Sequence, residues 1–386
     1  KNTRIEVVTE GILTRMLQDN PDLPGIGAVI FDEFHERSLN ADLGLALCLE
    51  VAGALRDDLL LVAMSATLDA APVAELMEAP IVTSEGRSFE VVPRWLDKPM
   101  GKQRLENAVA DLTLTALAEA PGSALVFLPG EGEIKRVEAL LRPALPPDCT
   151  LAPLFGALDF KAQQAAIAPV RSGRKVVLAT SIAETSLTIE GIRIVVDAGR
   201  SRRALFDPAS GMSRLVTERV TRAEAIQRAG RAGRVEAGVA YKLWTRGEEG
   251  ALAAFPPAEI EAGDLTGFAL ELALWGAQAE DLSFVSPPHP GRLAEAQAVL
   301  RMLGALNDTG RITDHGRKLS KLPLHPRLAH MVARGGPHFW QSVTRCAARR
   351  WTCRSGWMHW TESAAPPRPM PRHWRGSRPR PSGWAG

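Results

Sequence analysis

Short apolar runs that alternate with helical patterns are the feature that most limits how this chain of 386 residues can fold. A continuous apolar run of about four to six residues is typical of a parallel strand that is covered on both faces. Largely apolar runs lie at residues 28–31, 59–64, 124–128, 175–179 and 192–196. Because helical patterns separate them, the order of strand, helix and strand predicts an α/β protein with doubly wound parallel sheets.

Changes in pattern divide the chain into four segments. Pro93, Pro99 and Gly101 indicate a linker between two α/β series. Beyond Glu259 the pattern becomes helical and includes a short element at residues 312–316 that is typical of a turn or wing in a winged-helix module. We therefore predict domains at residues 1–92, 93–247 and 248–334, followed by a tail at residues 335–386.

Local signals give four further expectations. Residues 4–8 alternate like a short strand. Asn40 is expected to cap the helix that follows the first apolar run. Residues 202–216 are expected to form a hairpin, and Cys48 is expected to lie in an apolar core.

The last segment differs in composition from everything before it. Residues 335–386 hold nine arginines, six of the nine tryptophans and no leucine. Two interpretations remain open: a disordered arm rich in Arg and Pro that binds RNA, or a GC-rich coding sequence read out of frame. Neither interpretation predicts a packed domain there.

The net charge of +2 comes from this tail, because the residues before it hold more acids than bases. If those residues bind nucleic acid, we expect a local basic groove to do so. The four cysteines are sparse and lack zinc-site spacing, which favours a reduced, cytoplasmic interior. No run of eighteen apolar residues is present, so we expect no membrane-spanning helix.

An acidic pair, Asp32 and Glu33, directly follows the apolar run at residues 28–31. In open α/β sheets, ligands bind at the carboxyl ends of the strands. The pair therefore lies where a metal ion and its substrate are expected. The alternative is a plain loop whose polar residues cap the next helix.

Four motifs follow one another in a fixed order: Asp32-Glu33-Phe34-His35, Ser65-Ala66-Thr67, residues 180–190 and residues 227–234. This set resembles the superfamily 2 helicases of the DEAH-box type, and most of all the bacterial HrpB-like ATP-dependent helicases, in which Phe replaces the usual Ala of the acidic box. The resemblance covers about residues 1–334. It implies two RecA-like P-loop NTPase domains, the first incomplete, with ATP and Mg²⁺ as cofactors and RNA in preference to DNA as partner.

The resemblance implies roles for the acidic box. Asp32 and Glu33 would hold Mg²⁺, in the case of Asp32 through water, since Mg²⁺ dehydrates reluctantly. Glu33 would also orient and deprotonate the attacking water. His35 would connect the acidic box to the second domain by hydrogen bonding, and the alternative for His35 is an imidazole that faces solvent.

The resemblance also implies roles for residues 227–234. Gln227 would position water, and Arg231 and Arg234 would be arginine fingers that stabilise the charge of the transferred phosphoryl group. The alternative is a charged helix face. Gly230 and Gly233 argue against that alternative, because each glycine weakens a helix.

The remaining motif residues are assigned by the same resemblance. Ser65 and Thr67 would couple the nucleotide state to strand separation, and the alternative is a plain turn after a strand. The residues expected near the nucleotide are Ser186, Thr188 and Glu190, the last in place of the usual Asp. The residues expected at the phosphates and sugars of the nucleic acid are Thr9, Gly11, Thr180 and Ser181.

One element of the family is missing from the sequence. No Gly-x-x-x-x-Gly-Lys-Ser/Thr loop, which cradles phosphates, precedes the acidic box. We therefore expect that the N-terminal part of the first domain has been lost and that this chain hydrolyses ATP poorly. The alternatives are a non-catalytic module that holds nucleic acid and a DNA helicase of the same superfamily.

Overall fold

The structure, a computed structural model, describes residues 3–66, 70–84, 89–170, 172–184, 187, 189–207, 211–335, 351–354 and 357–360. The chain divides into two compact units, Lys1–Phe268 with Gln278–Pro290, and Ala269–Ala277 with Gly291–Gly386. The strands are β1 (Ala28–Phe31), β2 (Leu60–Ala63), β3 (Val91–Trp95), β4 (Ser123–Phe127), β5 (Cys149–Leu154), β6 (Arg174–Ala179), β7 (Ile192–Asp197), β8 (Arg200–Asp207), β9 (Met212–Arg219), β10 (Gly238–Lys242), β11 (Trp351–Arg354) and β12 (Trp357–Trp360). The helices are α1 (Glu10–Asp19), α2 (Leu39–Ala54), α3 (Ala71–Leu76), α4 (Leu105–Glu119), α5 (Glu131–Leu141), α6 (Phe160–Ile167), α7 (Arg222–Gly230), α8 (Arg246–Gly250), α9 (Glu259–Ala262), α10 (Thr266–Trp275), α11 (Pro290–Met302) and α12 (Asp314–Ser320).

A small parallel sheet of two strands, β1 and β2, opens the first unit. Helix α2 is the best buried element beside it, and Cys48 is fully buried there as expected. The expectation that the first two apolar runs form strands covered on both faces is wrong, since Ile30 in β1 is 58% exposed and Leu60 in β2 is 60% exposed. The reason is that only β1 and β2 pair in this sheet, within the described residues.

A parallel six-stranded sheet forms the main part of the first unit, in the order β3-β10-β7-β4-β6-β5. All five residues of β4 are buried, because this central strand is covered on both faces. One apolar core includes residues from α4 and α5, and a second core includes Phe127 and Val195. The predicted α/β class with parallel sheets is confirmed.

The local predictions have different outcomes in the structure. The hairpin is confirmed, as β8 pairs with β9. Residues 4–8 are not a strand, since no strand in the described part of the chain pairs with them and Val7 is 93% exposed. Ser38 caps α2 in place of Asn40, with its hydroxyl accepting the Ala41 amide at 3.0 Å. Pro93 lies inside β3 and not in a linker, which an edge strand tolerates because one side needs no amide donor.

The second unit contains the end of α10, together with α11, α12 and the β11–β12 ribbon. An antiparallel bridge joins Leu306 to Ile312, and Thr313 caps α12, so residues 314–316 begin a helix and not a wing. The β11–β12 ribbon lies within the predicted tail, and the rest of residues 336–386 lies outside the described residues. The predictions for the tail and for the domain boundaries stay predictions. Among the described helices, none has both the length and the apolar character needed to cross a membrane.

Candidate functional site

The acidic loop that follows β1 lies against the end of β2. The Phe34 amide donates to the Met64 carbonyl at 2.9 Å, and the Met64 amide donates to the Phe31 carbonyl at 2.8 Å. The buried Phe34 ring packs edge-to-face on Phe31, with 6.0 Å between the centroids. Glu33 and Arg37 have φ angles of 51° and 49°, each of which costs a non-glycine residue about 1–3 kcal/mol. The anchors around Phe34 therefore hold this loop in a strained shape.

Asp32 is exposed and Glu33 is partly buried. Asp32 Oδ1 accepts the Glu33 amide at 2.9 Å, and the second oxygen can accept a bond from water on a metal ion. In the part of the chain that the structure describes, no three His, Cys, Asp or Glu side chains form a metal-binding group. Such a sparse donor set fits Mg²⁺, which keeps several waters and takes one or two carboxylates together with phosphate oxygens.

His35 links the acidic loop to both sheets. Its side chain is only 8% exposed, so the alternative of a solvent-facing imidazole does not hold. The Ala66 amide donates to His35 Nδ1 at 3.3 Å, and a Glu33 carboxylate oxygen lies 3.4 Å from the same nitrogen. On the other side of the ring, His35 Nε2 and Gln227 Nε2 lie 2.6 Å apart. The Gln227 amide nitrogen can only donate, so His35 Nε2 accepts in this orientation of the amide, and Nε2 donates when the amide is turned so that its oxygen faces the ring.

The segment of residues 227–234, which we call the arginine segment, begins on α7 and continues in a short 3₁₀ turn, Arg231–Gly233. A capping box of Thr221 and Glu224 starts α7. Gly233 is required by a close approach, because a Cβ atom there would lie 2.5 Å from the Phe89 carbonyl oxygen. The segment is therefore packed against the chain that enters β3 and is not a free charged helix face.

Arg228 forms a buried ion cluster with two acids. Its Nε donates to Glu184 Oε2 at 3.1 Å, and its Nη1 donates to Asp197 Oδ1 at 3.0 Å. Burial raises the pKa of Glu184 to about 7, although the Arg228 charge lowers it, and burial also raises the pKa of Asp197. Asp197 Oδ2 is buried without a hydrogen-bond partner among the described residues. Arg228 therefore joins the arginine segment to the loop that holds Glu184.

Arg231 is buried and its guanidinium group reaches the same loop. Its Nε donates to the Glu184 carbonyl at 2.8 Å, its Nη1 donates to the Leu187 carbonyl at 2.8 Å, and its Nη2 also donates to the Glu184 carbonyl. Burial lowers the pKa of Arg231 to about 10, the Arg234 charge lowers it further, and the Glu33 charge opposes the change. Arg234 is exposed, so the two arginines expected to act together lie in different surroundings here.

A cavity of about 730 Å³ opens beside the contact between His35 and Gln227. Thr180 and Ser181, which directly follow β6, line it together with those two residues. Two predicted nucleic-acid contacts and two predicted catalytic residues thus border one space. Thr9 and Gly11 are not among the lining residues. Both lie at the start of α1, which precedes the acidic loop in the sequence.

Comparison with known proteins identifies the family. The helicase conserved C-terminal domain matches residues 105–236, and the winged-helix helicase-associated domain HA2 matches residues 296–324. The chain is 51% identical over 334 residues to the ATP-dependent RNA helicase HrpB of Escherichia coli strain K12, an alignment that covers 86% of this chain and 41% of that protein. This chain belongs to the HrpB-like DEAH-box helicases. The resemblance seen in the four motifs is confirmed.

Solved structures give the same result for this HrpB-like chain. The E. coli DExH-box NTPase HrpB matches with a TM-score of 0.79 at 50% identity, over 87% of this chain and 42% of that chain. The E. coli DEAH/RHA helicase HrpB matches with a TM-score of 0.81 at 50% identity, over 86% and 43%. The pre-mRNA-splicing factor ATP-dependent RNA helicase prp22 of Schizosaccharomyces pombe is 35% identical over 340 residues, 86% of this chain and 29% of that protein. The chain thus spans about two fifths of the length of its bacterial relatives.

The other predicted site residues of this HrpB-like chain lie around the same loops or outside the described residues. Ser65 is exposed directly after β2, next to the Ala66 amide that reaches His35. Glu190 is exposed in the turn before β7. The predicted residues that lie outside the described residues are Thr67, Ser186 and Thr188.

The sequence did not single out three residues that organise this region: Glu184, Phe255 and Glu259. Glu184 lies within a recognised motif, and its neighbours gave the only signal. The Glu259 carboxylate accepts the Leu39 amide at 2.8 Å, across 220 residues of sequence. Contacts between residues so far apart have no local sequence pattern.

Proposed function

We propose that this chain is part of an ATP-dependent RNA helicase that couples ATP hydrolysis to movement along RNA. The observation that carries the proposal is the distance of 2.6 Å between His35 Nε2 and Gln227 Nε2. It connects the acidic loop of the small sheet with the arginine segment of the large sheet. A nucleotide site shared by the two sheets requires the acidic loop and the arginine segment to lie side by side. The names of the relatives HrpB and prp22, both ATP-dependent RNA helicases, support RNA as the partner.

The residues around this contact suit phosphoryl transfer, in which catalysis depends on positioning and on stabilising charge. Asp32 and Glu33 would hold Mg²⁺, which would offset the charge of the phosphate oxygens. Glu33 would accept the proton of the attacking water, and Gln227 would keep that water in place. The predicted neighbours of the nucleotide are Ser186, Thr188 and Glu190.

Arg231 and Arg234 would stabilise the charge of the transferred phosphoryl group as arginine fingers. Arg231 donates to the carbonyls of Glu184 and Leu187 in this structure. A role as a finger therefore requires Arg231 to exchange these carbonyls for phosphate oxygens. We infer that Glu184 and Leu187 shift when the nucleotide site closes.

Thr180 and Ser181 would hold the phosphates and sugars of single-stranded RNA at the cavity. Such contacts fix the position of the strand and carry no sequence information. Thr9 and Gly11 would extend this track on the first lobe. Ser65 and Thr67 would transmit the nucleotide state to it.

A second candidate function is a module that binds nucleic acid without catalysis. The sequence favours it for this chain because it contains no phosphate-cradling Lys loop. Both candidates predict RNA binding, and only the first predicts ATP turnover. We propose that this chain binds RNA but hydrolyses ATP poorly.

A steady-state ATPase assay with single-stranded RNA separates these candidates. We expect turnover at the background level for the chain, with no further loss in Glu33→Gln. Turnover well above background that Glu33→Gln abolishes would contradict the proposed weak hydrolysis. It would favour the first candidate, in which this chain itself turns over ATP. An RNA-binding measurement on the same samples shows whether the protein is folded and able to bind its partner.

We also propose a cytoplasmic location. Cys48 and Cys149 are free thiols in the described part of the chain, and Cys48 is fully buried. Free cysteines are usual in a reducing compartment.

A further inference from the structure

Residues 253–259 cross the edge of the cavity as a strap that is fixed at both ends. At one end, the Arg222 and Ala223 amides of α7 donate to the carbonyls of Ala253 and Ala254 at 2.9 and 3.1 Å. At the other end, the Glu259 amide donates to the Arg37 carbonyl at 3.1 Å. The Glu259 carboxylate also accepts the Leu39 amide, so the strap holds the α7 start and the acidic loop together.

Phe255 lies between these two anchors. The flanking residues Leu252, Ala258 and Ile260 are buried, whereas Phe255 is 48% exposed. Pro256 and Pro257 follow it, so the backbone here is stiff and Phe255 itself is restricted to extended conformations. An aromatic side chain on such a strap loses little conformational freedom when it binds a ligand.

Phe255 lines the same cavity as Thr180 and Ser181. Phe255 therefore borders the space in which the proposed function places the RNA backbone. A strand held by its phosphates and sugars at Thr180 and Ser181 leaves its bases available for contact with another wall of the cavity. Every base has a π-face that can stack on an aromatic ring, whatever the sequence.

The charges of the cavity explain why a stacking contact is needed. The lining contains two arginines, Arg202 and Arg203, against four acids, Glu36, Glu184, Glu224 and Glu259. Arg202 already pairs with Glu133 at 3.3 Å, and Arg203 pairs with Glu218 at 3.1 Å and with Glu224. The expected local basic groove is therefore not found at this cavity. Attraction of phosphates by free basic side chains, the usual source of affinity for nucleic acid, is weak here.

We propose that Phe255 is a stacking platform for a base of single-stranded RNA held at Thr180 and Ser181. The inference rests on the proposed RNA-binding function and adds to it a residue that contacts bases. It explains how a cavity without excess positive charge holds RNA. It also assigns the strap a function, since its two anchors fix the ring next to the strand.

Fluorescence anisotropy of a labelled single-stranded RNA dodecamer of mixed sequence tests the proposal. Phe255→Ala is expected to weaken binding by about 5- to 150-fold, which is the range of base–aromatic stacking for one base. Phe255→Trp is expected to restore wild-type affinity, and Phe255→Leu to bind as weakly as Phe255→Ala, because leucine is apolar but has no π-face. Phe160→Ala is the matched control, since Phe160 is 71% exposed and is not among the residues that line the cavity.

An abasic dodecamer isolates the contribution of the bases. We expect it to bind the wild-type chain and Phe255→Ala equally. Equal loss on the abasic and the ordinary dodecamer, wild-type affinity for Phe255→Leu, or less than twofold loss for Phe255→Ala would each overturn the stacking role. A wild-type chain that binds no RNA would instead remove the proposed function itself, and thermal melting of every variant shows that all are folded.

Discussion

Arg228 Nε and Glu184 Oε2 lie 3.1 Å apart in a pair that is almost completely buried. Arg231, in the following turn, donates to the backbone carbonyl of the same Glu184. Two arginines of one segment thus hold the side chain and the backbone of one loop residue. Residues 180–184 are fixed to the arginine segment through Glu184, and the predicted RNA contacts at Thr180 and Ser181 depend on it.

Arg228→Met is expected to destabilise the chain by about 3–5 kcal/mol, because it leaves Glu184 and Asp197 buried without their positive partner. Urea denaturation followed by circular dichroism measures the change. Arg142→Met is the matched control. Arg142 pairs with Glu138 on the surface and is 69% exposed, so its loss is expected to cost less than about 1 kcal/mol. Equal effects of the two substitutions would contradict a structural role for the buried cluster.

The raised pKa of Glu184 predicts that this residue makes stability fall as pH rises. Its pKa changes from 4.5 in the unfolded chain to about 7 in the folded chain, so between these values the folded state binds more protons. This contribution to stability is complete below about pH 4.5 and is lost as pH rises through about 7. Its size is about 3 kcal/mol, from about 1.4 kcal/mol for each pKa unit.

Glu184→Gln is expected to remove this dependence. The difference in unfolding free energy between Glu184→Gln and the wild type should shift by about 3 kcal/mol in favour of the variant between pH 4.5 and 7.5. Using the difference cancels the contributions of other groups, including His315, whose pKa is lowered by burial. Glu131→Gln on the surface of α5 is the control and should leave the profile unchanged. A difference that stays constant with pH would contradict the raised pKa.

The contact between His35 and Gln227 predicts coupling between the acidic loop and the arginine segment. In a double-mutant cycle of His35→Ala and Gln227→Ala, we expect a coupling energy of about 0.5–1.5 kcal/mol in unfolding free energy. The size corresponds to one hydrogen bond. A pair of His35→Ala with Gln163→Ala, a second glutamine that lines the cavity, should be additive. Additivity in both cycles would show that the contact contributes nothing.

The sequence alone predicted the elements that depend on local pattern. The buried strands β4, β6 and β7 follow from apolar runs, and the β8–β9 hairpin lies where the sequence predicted one, at residues 202–216. Strand β3 was not predicted, because Pro93 signals a break. The proline is allowed because β3 lies at the edge of the sheet, and that position depends on pairing with a strand almost 150 residues later. Residues 4–8 have a strand pattern without a partner.

The site was predicted only as far as the motifs extend. The resemblance implied that His35 connects the acidic box to the second domain and that Gln227 positions water, and the structure brings the two side chains together. The sequence could not show that Arg231 donates to backbone carbonyls, because a residue of any type can supply a backbone carbonyl. It could not show the strap around Phe255 for the same reason, since its anchors are main-chain groups and one carboxylate on residues far away in sequence.

RNA binding by a variant without the two hydroxyl groups next to the cavity tests the central claim most directly. In fluorescence anisotropy with the single-stranded dodecamer, the wild-type chain should bind, and Thr180→Val with Ser181→Ala should bind at least about tenfold weaker, as expected for two lost hydrogen bonds. Thr115→Val, on the exposed face of α4 and not among the cavity residues, should bind like the wild type. No binding by the wild type, or equal binding by the doubly substituted chain, would contradict the account.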